Sequence, residues 1–223
     1  MPAGTASRGD KAFTVDRFDR SDDGSRMHAK DFAQVFDVYA DNKYELARFR
    51  RIATVIAAKS GHEDVAEFIR CLTFNTLIAN GDMHLKNWSL TYPDDRHARL
   101  SPAYDLVSTV PYIPDDQSAL NFSRTRKFSG YTEDELRHLS AKAALPHKLV
   151  QDAHRETVGR FMANWSAEKN HLPMGREVMD QSMRISRQCR SSEGTARQRP
   201  VRDAFPERPP NRGNSSLECQ TLI

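Results

Sequence analysis

The chain has 223 residues, 38% hydrophobic and 28% charged, which is enough for one sizeable core. Its mean hydropathy of −0.70 implies that some stretch lies outside that core. A formal charge of +3, with Lys and Arg interspersed among Asp and Glu, leaves no basic face for direct nucleic-acid binding, and no run approaches the roughly 20 apolar residues of a membrane span. Cys71, Cys189 and Cys219 are too scattered for a disulfide framework or a zinc ribbon, so a soluble, cytoplasmic protein is expected.

Residues 12–18 put Phe13 and Val15 on one face and predict a strand, closed by the turn at Ser21-Asp-Asp-Gly-Ser25. From Lys30 the spacing of Phe32, Val35 and Phe36 predicts a helix. After a break at Asp41-Asn42, the stripe Leu46, Phe49, Ile52, Ala53 and Ile56 predicts a longer one that stops near Gly61. Residues 63–79 read as a helix that begins amphipathic and ends almost wholly apolar, as a central core helix does. Asn80-Gly81 closes it, and the densest polar cluster of the chain follows at once, Asp82-Met-His-Leu-Lys-Asn87.

Residues 88–92 and 98–100 predict a β-hairpin, and Asp105 comes soon after it. A short strand is expected at Leu120–Ser123, a helix started by a Thr132/Glu135 capping box, another beginning at Pro146, and a last one over 175–190. The expected organisation is a leader at 1–11, one domain at 12–190 and a disordered tail at 191–223. The fold class expected is mainly α (α+β) with a small β-hairpin.

Phosphoryl transfer from ATP needs a carboxylate to orient the acceptor hydroxyl and accept its proton, and hard oxygen ligands to hold magnesium against the phosphates. Protein kinases space the base and a metal-binding Asn as Asp-x-x-x-x-Asn and bring a second Asp after a short hairpin. Asp82, Asn87 and Asp105 reproduce that layout. Two carboxylates about 4 Å apart repel by roughly 4 kcal/mol at an effective dielectric near 20, so their convergence makes sense around a cation. Taken singly, Asp82 reads as a turn cap, Lys86 as a solvated charge and His84 as a backbone hydrogen-bonder. Phe18 and Tyr104 taken singly read as packing.

Asn80-Gly-Asp-Met-His-Leu-Lys-Asn87 after a buried helix, followed by Leu100-Ser-Pro-Ala-Tyr-Asp-Leu-Val-Ser108 after a hairpin, resembles the catalytic and metal-binding segments of HipA-type serine/threonine kinases. Val15-Asp16 with Arg17-Phe-Asp-Arg20 resembles the hinge strand of that family, and Lys30-Asp-Phe-Ala-Gln34 and Lys43-Tyr-Glu45 match further positions in order. The resemblance covers residues 12 to about 190. It implies the larger C-terminal lobe of a kinase, with Asp82 as catalytic base and Asn87 and Asp105 on Mg2+. It further implies that the backbones of Asp16 and Phe18 contact the adenine of ATP and that His84, Lys86 and Tyr104 line the nucleotide site.

The implied partners are a protein substrate and an antitoxin-like DNA-binding regulator. Few residues precede the hinge, so the phosphate-covering loop and strand lysine of a complete kinase, its N-terminal lobe, are expected to be missing. A truncated kinase, weak or inactive unless complemented by a separate N-terminal chain, is therefore expected. The alternatives are a non-catalytic module that binds antitoxin or nucleotide, and a small-molecule phosphotransferase of the same Asp-x-x-x-x-Asn layout.

Overall fold

The computed structural model describes residues 16–20, 23–39, 47–110, 112–113, 116–168, 180 and 183–185. The expected leader and tail, most of the residue 12–18 strand, Lys43–Glu45, Leu46 and most of the helix at 175–190 lie outside them, although residues 180 and 183–185 are helical. The described part is α+β. A three-stranded antiparallel sheet, in the order β1 (His28–Asp31), β2 (Ser89–Tyr92), β3 (Arg99–Leu100), sits beside the helices α1 (Phe32–Val35), α2 (Phe49–Lys59), α3 (His62–Leu77), α4 (Glu133–Lys142) and α5 (His147–Glu168). No helix among the described residues is long and apolar enough to cross a membrane.

The period-3.6 stripes form as their spacing demands, and α3 is the central element, packed on α5, α2 and β3. Val65, Phe68, Ile69, Leu72 and Leu77 are fully buried on it, and truncating one such Leu to Ala costs about 2–5 kcal/mol. Its start needs Gly61, whose φ of 95° turns the chain directly after α2 ends. The predicted hairpin forms as β2 and β3, with Leu90 opposite Leu100. An aromatic cluster then ties the helices to the hairpin: Phe49 lies 5.7 Å from both Trp88 and Phe122, and Phe68 lies 5.0 Å from Trp88.

Several expectations are corrected. Lys30 belongs to strand β1, which pairs Lys30 with Leu90, and the helix expected from that point is the single turn α1. A reciprocal Asp31/Gln34 capping box starts α1, and Asp37 at φ 53° ends it. Asp16–Phe18 is not strand: Asp19 accepts two bonds from Arg17 and two from Arg20, one of them at its carbonyl, and the segment curls into a turn. Residues 120–123 hold only an isolated bridge, Arg48 to Asn121. The Thr132/Glu135 box is half made. Thr132 accepts from the Glu135 amide, but the Glu135 carboxylate instead takes the amides of Ser123 and Arg124 and the Arg124 guanidinium.

Under α3 lies a polar cluster in which Thr73 Oγ1 is 3.1 Å from the Tyr131 hydroxyl and 3.2 Å from His154 Nδ1. Burial pushes the His154 pKa down to about 4, with the Arg155 charge adding to the effect. The unfolded chain, with an ordinary His near 6.5, therefore binds a proton that the fold excludes. This contribution to stability is fully present above that value and is lost as pH falls toward the folded pKa. Urea unfolding is expected to show a loss of about 2 kcal/mol between pH 7 and pH 5, and His154→Gln should flatten that slope. An unchanged slope in the variant would contradict the assignment.

Candidate functional site

α3 ends at Leu77, and Ala79, at φ 55°, turns the chain out of the helix. The loop that follows is pinned by Met83 and Leu85, both buried in the core, while Asp82 keeps a side chain 44% exposed and Lys86 is exposed. Apolar residues at 83 and 85 hold the backbone down with His84 buried between them, and the polar residues on either side, Asp82 and Lys86, reach the surface. A 3-10 turn over Leu85–Asn87 then leads through Trp88 into β2, where the Trp88 carbonyl accepts the Phe32 amide at 2.9 Å.

Within the loop, Asn87 Nδ2 donates to the Asp82 carbonyl at 2.9 Å, which turns the amide oxygen of Asn87 away from that bond and leaves it available as a hard donor. Asp105 lies beyond β3, exposed, and holds φ 56°, a backbone conformation that non-glycine residues adopt at a cost of about 1–3 kcal/mol. Its segment is tied back to the loop twice. The side chain of Asn80 accepts from the Asp82 amide at 3.0 Å and donates to the Asp105 carbonyl at 3.3 Å. Thr109 Oγ1 accepts from the Gly81 amide at 2.8 Å and donates to Asp116 Oδ2 at 2.5 Å. Asp82, Asn87 and Asp105 thus come from one loop and one adjoining segment joined by hydrogen bonds. Two carboxylates and an amide oxygen form the donor set a magnesium ion prefers.

An open cleft of about 430 Å³ lies against this loop, within the range of small-ligand sites. Four of the residues expected at a nucleotide line it: Asp16, Phe18, Lys86 and Tyr104. The Phe18 and Tyr104 rings lie 5.5 Å apart, centroid to centroid, and form an aromatic wall. Tyr104 donates to the Lys86 carbonyl at 2.7 Å, so the hydrogen bond of 2.6 Å with Ser89 has Ser89 as donor. Burial pushes the Tyr104 pKa up to about 12 and keeps the phenol protonated. The buried ring of His84 lies beside the proposed base, with Nε2 3.8 Å from Asp82 Oδ1.

Sequence reasoning missed three groups of residues here. Asp31 and Gln34 line the cleft while capping α1, whereas in sequence Lys30–Gln34 is only a segment that resembles the family. In sequence Asn80 reads as a helix stop, and Thr109 carries no signal of a role. The short polar pair Asn80-Gly81 was visible, but its partners more than 20 residues away were not.

The HipA-like C-terminal domain model matches residues 1–165. The chain is 55% identical over 181 residues to Putative kinase Y4dM of Sinorhizobium fredii, covering 81% of this chain and 44% of that protein. It is 32% identical over 119 residues to a Haemophilus influenzae protein named Putative kinase, covering 49% of this chain and 34% of that protein. The chain therefore spans less than half the length of these curated relatives. In fold it is similar to HipA of Shewanella oneidensis, solved with HipB and operator DNA as a toxin–antitoxin complex, at a TM-score of 0.66 and 22% identity, over 81% of this chain and 48% of that one.

A side chain at Gly81 would collide with the Asp116 carboxylate that holds Thr109. Gly81→Ala is expected to destabilise by about 1–3 kcal/mol in chemical denaturation. Adding Asp116→Ala should relieve most of that cost, and strictly additive losses in the double variant would contradict the contact.

Proposed function

The chain belongs to the HipA-like C-terminal domain family, and from that membership we propose that it is the catalytic-loop and cation-binding half of a protein serine/threonine kinase that transfers the γ-phosphate of ATP. The observation that carries this reading is the junction of the Asp82–Asn87 loop with the Asp105 segment beside a cleft walled by Phe18 and Tyr104.

Asp82 is the group suited to accept the proton of the acceptor hydroxyl. Its loop is held by the buried Met83 and Leu85, and its carboxylate remains accessible to a substrate. Buried His84, 3.8 Å from that carboxylate, limits where it can swing. Asn87 and Asp105 would hold Mg2+, which when bound neutralises charge on the phosphates. Phe18 and Tyr104 offer flat apolar surface to a purine, and the backbone at Asp16–Phe18 offers the hydrogen-bonding edge. Lys86, exposed at the cleft, places a positive charge near the phosphates.

The reading assigns this chain the base, the cation ligands and the adenine cleft. The loop and lysine that clamp phosphates in a complete kinase are left to other parts of the enzyme, so the chain by itself is proposed to bind nucleotide and to transfer phosphate weakly. An antitoxin-like regulator is proposed as partner, by likeness to the HipA that was solved with HipB.

A fluorescent ATP analogue titrated into the protein is expected to bind more tightly with Mg2+ than with EDTA. Asn87→Ala and Asp105→Asn should each remove that difference, whereas Tyr104→Ala should weaken binding with or without the metal. Where transfer of labelled γ-phosphate to protein is measurable, Asp82→Asn should lower its rate by about 10²–10⁴-fold while nucleotide affinity holds. Binding indifferent to Mg2+ and to Asn87 and Asp105 would overturn the proposal, as would transfer to choline or an aminoglycoside in place of protein.

A further inference from the structure

Asn80 is almost completely buried, 1% exposed, just past the end of α3, and every polar atom of its side chain has a partner. Nδ2 donates to Asn75 Oδ1 at 2.7 Å and to the Asp105 carbonyl at 3.3 Å, and Oδ1 accepts from the Asp82 amide at 3.0 Å. Its own amide donates to the Asn75 carbonyl at 2.9 Å. Asn75 is oriented in turn, because its Nδ2 donates to the Cys71 carbonyl at 2.9 Å, one helical turn back, and its Oδ1 is what remains to accept.

That chain of bonds permits one orientation of the Asn80 amide. Flipping it would set Nδ2 against the Asp82 N–H, donor to donor, and Oδ1 against the Asp105 carbonyl, acceptor to acceptor. The amide is therefore a fixed spacer between the backbone that carries the proposed base and the backbone that carries a proposed cation ligand. Asn80 lies three residues past the end of α3, and its amide is braced against that rigid core helix through Asn75. The second segment needs such a holder, since Asp105 sits at φ 56° with its side chain exposed.

We propose that Asn80 is a positioning residue for the cation site: its side-chain amide sets the separation of Asp82 from Asp105, and no other residue type supplies both bonds at that length. Aspartate keeps the acceptor for the Asp82 amide but loses both donors and buries a charge. Glutamine adds a methylene that the packed site cannot take, and alanine leaves three groups unpaired. The proposal rests on the kinase reading above, in which Asn87 and Asp105 take the metal.

The test uses Mn2+ alone as probe, with free and bound ion counted by electron paramagnetic resonance on the full chain. Wild type is expected to bind one Mn2+, and Asp105→Asn should lose it. Asn80→Ala and the near-isosteric Asn80→Asp should each weaken binding by about 10- to 100-fold, the usual effect of removing a group that orients a metal ligand. Leu139→Ala, a core change in α4 away from the site, should lower the melting temperature and leave the affinity as it was. If Asn80→Ala fails to fold, Asn80→Asp decides. Wild-type affinity in the Asn80 variants, or an equal loss in Leu139→Ala, would overturn the positioning role while the cation site stands. No Mn2+ binding by the wild type would overturn both the role and the kinase reading.

Discussion

The chain has to bring two polar segments, separated by the whole β2–β3 hairpin, to one place at the edge of a packed core and hold them there. Their side chains work against this. Carboxylates brought to one place would repel unless a cation lay between them, by several kcal/mol at close range. The backbone does the holding. One buried amide, on Asn80, bonds the Asp82 N–H on one side and the Asp105 carbonyl on the other, and Thr109 adds a second tie to Gly81. In the kinase reading proposed above, holding these groups through their backbones is what would let their side chains meet substrate or metal, as preorganisation requires.

The rest of the fold serves that junction. α3 carries Asn75 in its last turn, which accepts from the Asn80 amide just beyond the helix, and it is fixed by fully buried apolar residues along its length. The aromatic cluster of Phe49, Phe68, Trp88 and Phe122 fixes the far end of the loop, and Phe32 bonds Trp88 to bring β1 and α1 alongside. The Tyr104 hydroxyl, bonded to Lys86 and Ser89, closes the cleft wall against the same loop. Core packing, hairpin and cleft thus meet at residues 80–88.

Local pattern was enough to see most helices and the hairpin, since α2, α3, α4 and α5 carry apolar residues at helical spacing and the turn between β2 and β3 is written in Pro and Asp. The candidate residues Asp82, Asn87 and Asp105 were visible too, because their spacing follows from the chemistry they would perform. What escaped depends on distant partners. His28 and Lys30 do not look like strand residues until β2 lies beside them. Glu135 looked like half of a capping box until the 123–125 loop claimed its carboxylate. Asn80 looked like a helix stop because the carbonyl it holds is 25 positions away. The burial of His84 beside Asp82 is likewise a three-dimensional fact that local pattern does not carry.

The most direct measurement is the anomalous difference density of crystals grown with Mn2+. A single strong peak between the amide oxygen of Asn87 and the carboxylate of Asp105, at the 2.0–2.6 Å typical of hard-cation ligands and facing the Phe18–Tyr104 cleft, is the predicted result. A peak elsewhere, or carboxylates of Asp82 and Asp105 found facing away from each other, would contradict the account.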